Sequence, residues 1–129
     1  MKVLVLSNAE LKPREIGTEL EDLQKIVDGY IEIPFLSETF YENDIDIIIN
    51  EEGKLIEGMR PEIAIVKNGT TQILDIIYGN CIFASHDEEG NTVELNEKQI
   101  QIVEKELRVE VILYDENKDE HMPVRVMFI

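Results

Sequence analysis

The sequence predicts an α+β domain: a mixed, mostly antiparallel sheet of short strands, packed against two helices and ending in a C-terminal β-hairpin. Three observations predict it. Hydrophobic residues make up 43% of the 129, with no Trp and few aromatics, and the dominance of Ile, Val and Leu favours sheet over a helical bundle. Two segments carry a helix cap followed by an apolar stripe at helical spacing. The remainder is short apolar runs separated by turn residues. A chain of this length buries a core without disulfides or a structural metal, and no linker interrupts it. Residues 1–129 therefore read as one domain, with 108–129 a hairpin extension of the same unit.

In chain order, Val3, Leu4, Val5 and Leu6 predict a central strand buried on both faces. A turn is expected around Lys12 and Pro13. The first helix should run from about 19 to 28: Thr18 and Glu21 form a capping box, Leu20, Leu23, Ile26 and Val27 share a face, and Gly29 supplies a left-handed stop. Tyr30 to Ile33 alternates as a strand, and 34–44 reads as a loop. Ile45 to Asn50 is β-branched and leads through Glu51, Glu52 and Gly53 to Leu55 and Ile56, as in a hairpin with Gly53 at positive φ. Asn68-Gly69 and Asp87 to Asn91 mark further hairpins. The second helix, about 97–107, starts at an Asn96–Gln99 box with Leu95 and Ile100 as a staple. Val109, Val111, Leu113 and Val124, Val126, Phe128 then alternate as two strands around a polar loop, 115–121.

Charge is the most pronounced property of the composition: 28 Asp and Glu against 12 Lys and Arg give −16. Such a surface repels nucleic-acid phosphates and anionic membranes, so the expected partner is a protein with a basic surface. Solubility alone also accounts for much of the acidity. The single Cys81 and the lack of a leader pattern suggest a cytoplasmic protein, and the apolar stretch 76–85 is too short to span a bilayer.

No residue constellation predicts catalysis. The turn Asp87-Glu88-Glu89-Gly90 places its glycine at the fourth position, where a calcium loop needs it at the sixth. Cys81 and His86 are five apart, which on one strand puts them on opposite faces, so a thiol–imidazole pair would need His121. Ser7 lacks an elbow motif, and neither a phosphate-binding glycine loop nor zinc-ligand spacing occurs. No cofactor and no metal is expected. The acids that neither caps nor ion pairs explain are Glu38, Glu42, Asp44 and Asp46, and Asp115, Glu116, Asp119 and Glu120; these are the candidate partner-binding residues. Tyr30, Asn50, Tyr78 and Asn80, near strand ends, are the candidate residues for a small ligand.

Gly29-Tyr30-Ile31-Glu32, Asn50-Glu51-Glu52-Gly53-Lys54-Leu55 and Asp75-Ile76-Ile77-Tyr78-Gly79-Asn80-Cys81-Ile82-Phe83 resemble, in order and spacing, the family known as domain of unknown function 3846. The resemblance spans about Met1 to Leu107. It departs at Gly79-Asn80-Cys81, where the family more often has Gly-Thr-Phe, and the hairpin after Arg108 is an addition. The resemblance implies an origin in bacteriophages, plasmids and conjugative elements of bacteria, and no agreed activity or catalytic residues.

Two functions compete. One is a non-catalytic inhibitor of a host anti-phage defence protein, whose carboxylates occupy a basic nucleic-acid groove. The other is a module that sequesters a small ligand such as a nucleotide signal. A structural or oligomeric role is a third, since Val109 to Tyr114 or Val124 to Ile129 can form a free sheet edge and a homodimer.

Overall fold

The computed structural model describes residues 1–116 and 118–129; Asn117, inside the loop expected at 115–121, lies outside the described residues. The α+β class holds, with the strands divided between two sheets. In the first sheet the order is β2 (Glu10–Glu15), β1 (Lys2–Ser7), β7 (Cys81–His86), β4 (Ile45–Asn50) and β3 (Ile31–Glu32), with β8 (Thr92–Val93) also pairing β7. In the second the order is β6 (Ile73–Tyr78), β5 (Pro61–Val66), β10 (Glu120–Phe128) and β9 (Val109–Asp115). Among the described residues the pairings are antiparallel except that of β5 with β10.

Strand alternation explains the layers. On one face of the first sheet Val3, Val5, Ile48, Ile82 and Ala84 meet Leu23, Ile26 and Val27 of α1 (Leu20–Val27). On the other, Leu4, Leu6, Ile47, Ile49 and Phe83 meet Ile63, Ile65, Ile77 and Met127 of the second sheet, with Phe40 of α2 (Glu38–Glu42) and Ile100, Val103 and Leu107 around α3 (Glu97–Glu106) closing the sides. Each of the Val, Leu, Ile, Phe and Met side chains among them contributes about 1.5–3 kcal/mol on burial. On the outer face of the second sheet Ala64, Val66, Val124 and Val126 cluster with Val109 and Leu113, and no helix residue joins that cluster among the described residues.

Several local expectations change. The segment 10–15 is a strand, not merely a turn: Pro13 and the charges obscure it, but an edge strand tolerates both. The cap of α1 is Glu19, whose N–H donates to Asp22, not Thr18, and Asp28, at φ 62°, takes the left-handed position assigned to Gly29. Leu20, expected on the apolar face, is about half exposed. Ser37 caps α2 inside the expected loop. Gly53 begins a short 3-10 turn, Gly53–Leu55, that carries the chain between sheets, so no hairpin forms there. A Cβ on Gly53 would stand 2.6 Å from the Tyr78 carbonyl oxygen, so glycine is needed for close approach and not for positive φ.

Polar side chains bind the two sheets. Glu62, 1% exposed, accepts from the N–H groups of Asn8 and Ala9 at 3.0 and 2.8 Å and from Arg60 Nη1 at 3.0 Å. Arg125 donates through Nε to the Ala9 carbonyl and through Nη1 to that of Leu107. The left-handed turn at Asn8 and Ala9 is thus held by groups from β5 and β10.

Candidate functional site

Between Lys25 and Lys54 the chain has no Lys or Arg, but it has Asp28, Glu32, Glu38, Glu42, Asp44, Asp46, Glu51 and Glu52. The middle of this stretch folds into one surface. Ser37 starts α2 by accepting from the Phe40 N–H, which turns Phe40 into the core and leaves Tyr41 outside. Phe35 and Tyr41, 67% and 71% exposed, meet edge to face with centroids 5.6 Å apart. They line a cavity of about 250 Å³ with Ile33, Leu36, Ile45, Asp46 and His86. Glu38, Glu42 and Asp44 are exposed, and Asp44 reaches the His86 that lines the cavity.

His86 anchors the acidic end, with Nδ1 3.0 Å from Asp46 and Nε2 3.4 Å from Asp44. Asp44 sits at φ 56°, and its carbonyl accepts from Ser85. Among the described residues no Lys or Arg forms an ion pair with Glu38, Glu42, Asp44 or Asp46. Two exposed, mutually packed aromatic rings thus stand on the segment that carries Glu38, Glu42, Asp44 and Asp46.

The second acidic group lies elsewhere, at the β9–β10 end of the second sheet. Asp115 is buried there, while Glu116, Asp119 and Glu120 are exposed. Asp119 accepts from the Tyr114 hydroxyl, and the Tyr114 ring packs at a tilt against His121, centroids 5.0 Å apart. Lys118 reaches across to the Gly58 carbonyl. This group is interleaved with a cation and tied into its own hairpin, unlike the first.

The four candidate ligand residues are placed by local structure. Asn50 Nδ2 donates to the Val27 and Asp28 carbonyls, and its Oδ1 accepts from Glu52 N–H. Asn80 Nδ2 donates to the Ile26 carbonyl. Both amides thereby satisfy the open carbonyls at the end of α1. Tyr30 projects into solvent beside them, and Tyr78 lines a cavity of about 330 Å³ with Asn50, Glu51, Glu52, Lys54 and Asp75. Lys54 is engaged by Asp75. The structure therefore gathers Tyr30, Asn50 and Asn80 around a helix terminus and brings Asn50 and Tyr78 together in a cavity whose apolar wall, Leu36, Ile49 and Ile77, is edged by Glu32, Glu51, Glu52 and Asp75.

A family model described as Domain of unknown function (DUF3846) matches residues 1–108. The chain belongs to this family. The DUF3846 match ends where α3 gives way to β9, so the last hairpin lies beyond it. No curated protein and no solved structure matches the chain.

The single thiol of this DUF3846 protein belongs to the core. Cys81 is fully buried, and burial first, then the nearby Glu62 carboxylate, push its thiol pKa far above the usual value. A thiol so held stays protonated and out of reach of substrate. It donates to the Gly79 carbonyl instead. His86 stands at the other end of β7, paired with acids, and His121 is on the second sheet. Among the described residues no group of three or more His, Cys, Asp and Glu side chains could hold a metal ion, and no helix is long and apolar enough to cross a membrane.

The aromatic side of this surface was missed by sequence reasoning. Phe35 and Tyr41 fell in a stretch without periodicity, and the signal that could have found them was the Ser37 cap followed by Glu38, which turns alternate aromatics in and out.

Proposed function

We propose that this protein is a non-catalytic binding module that docks a basic protein surface onto the patch formed by Phe35, Tyr41, Glu38, Glu42, Asp44 and Asp46. The observation that carries the proposal is the pairing of two exposed, mutually packed aromatic rings with carboxylates that no Lys or Arg neutralises. Aromatic anchors supply affinity when a partner excludes water from them. The acids supply steering and partner choice, because they attract a cationic groove and repel phosphate and anionic lipid. A protein that handles nucleic acid presents such a groove, and the mobile-element setting implied by the resemblance makes a host defence nuclease the partner of choice, with inhibition by occupation of its groove as the outcome.

The test is affinity capture from bacterial host lysate at two ionic strengths, followed by binding and nuclease assays with the captured protein. Wild type should bind more weakly at high salt. Phe35→Ala together with Tyr41→Ala should cost at least about 2 kcal/mol, roughly thirtyfold in Kd. Glu38→Lys with Glu42→Lys should slow association. Inhibition that persists in both double variants would remove the proposal.

A further inference from the structure

We propose that this protein forms a symmetric dimer by antiparallel pairing of β9 with β9 of a second copy, with the two-fold axis at Ile112. This goes beyond the docking patch, which lies on the other sheet.

The exposed strand edges differ in kind. β2 carries Lys12, Pro13 and Arg14, the residues that protect an edge from pairing. β3 has two residues, and β6 is flanked by the 3-10 turn through Lys54 and Asp75. β9 has seven residues, no Lys and no Pro, and Val111, Ile112 and Tyr114 are exposed along it.

The direction of its backbone follows from Pro123. That residue stands opposite Ile112, has no N–H, and gives its carbonyl to Arg60 on the β5 side. Residues directly opposite in an antiparallel ladder either exchange both hydrogen bonds or exchange none. Pro123 therefore bonds nothing on β9, and Ile112 points its N–H and C=O outward. At two-residue spacing Glu110 and Tyr114 do the same. A second β9 meets three residues ready to donate and accept.

The side chains suit a second copy, and the Ile112 register makes more in-strand hydrogen-bonded pairs than an axis one residue to either side. With the axis at Ile112, Ile112 faces its own copy, Glu110 faces Tyr114, and Arg108 and Glu116, one residue beyond either end of the strand, come together. No like charges stand opposite, and the Arg108–Glu116 pair occurs twice by symmetry. Moving the axis to Leu113 puts Glu110 opposite Glu116, and moving it to Glu110 puts that carboxylate opposite itself. The Ile112 register gives about six interchain backbone hydrogen bonds, two at the central pair and two at each Glu110–Tyr114 pair. It also joins Val109, Val111 and Leu113 of both copies into one continuous outer apolar face. The edge is self-complementary, whereas the net charge of −16 on each copy opposes approach. Added salt screens that repulsion, so self-association strengthens with ionic strength, opposite in sign to docking on a basic partner.

The test is sedimentation equilibrium of the full chain from low micromolar to several hundred micromolar, at low and moderate salt. A monomer–dimer equilibrium that tightens with salt is expected. Ile112→Lys, at a position 64% exposed, should be monomeric with an unchanged circular dichroism spectrum. Arg108→Glu should weaken association about tenfold through two like-charge pairs, and Arg108→Glu with Glu116→Arg should restore it. A wild type that stays monomeric throughout, a dimer that survives Ile112→Lys, or a double variant no better than Arg108→Glu would each overturn the proposal.

Discussion

Asp87 stands at the tip of the β7–β8 hairpin, where its carboxylate accepts from the N–H groups of Asn91 and Glu89 and from the Asn91 side-chain amide. Those bonds, the Asn91 backbone bond above all, hold its pKa below the ordinary carboxylate value. A group whose pKa is lowered by folding stabilises fully above its unfolded value, and the contribution disappears as pH falls through the folded one. Acidification through the low carboxylate range should therefore loosen this hairpin tip while the core stays intact. Hydrogen exchange at the Glu89 and Asn91 amides, corrected for intrinsic pH dependence, should show protection falling with pH in the wild type. In Asp87→Asn protection should be lower at neutral pH and flat across the same range. This turn was legible in the sequence because Asp, Gly and Asn each act within a few residues, and Gly90 takes the positive φ the turn requires.

At the scale of elements, what could be read depended on how local the cause was. α3 begins at Asn96 with its Gln99 box as expected, because both halves of the cap lie within four residues. The end of α1 is different: its carbonyls are satisfied by Asn50 and Asn80, which arrive from 22 to 54 positions away. From sequence those amides looked available to a ligand. Likewise β2 has no apolar pattern, and only its pairing with β1, from Lys2 opposite Glu15 to Ser7 opposite Glu10, makes it a strand. Buried Glu62 gave little sequence signal, since two of its partners are main-chain groups of Asn8 and Ala9, more than fifty positions away, and only Arg60 is local. A structural role for Asn50 has a measurable consequence. Asn50→Ala strands the Val27 and Asp28 carbonyls and opens a small void, so thermal or urea unfolding should show a loss of about 1–3 kcal/mol. A loss below a few tenths would mean that the amide is spare and available for other chemistry.

Over the whole molecule, the family boundary and the architecture do not coincide. The DUF3846 match covers residues 1–108, yet β10 occupies an inner position of the second sheet, between β5 and β9. Met127 is wholly buried against the first sheet, Val124 is wholly buried on the outer face, and Arg125 holds both the Ala9 turn and the end of α3. Removing 109–129 would expose Ile63 and Ile65, leave the Ala9 and Leu107 carbonyls without Arg125, and reduce the second sheet to the β5–β6 hairpin. A two-stranded ribbon is marginal by itself, and losing a fully buried Met or Val typically costs several kcal/mol against a total stability of only about 5–15. A chain ending at Arg108 should therefore lack a cooperative thermal transition and bind a hydrophobic dye, while the full chain melts in one step. If the shortened chain instead melts cooperatively, the first sheet with α1 and α3 is an autonomous unit, and the final hairpin is an appendage that the remaining core does not need.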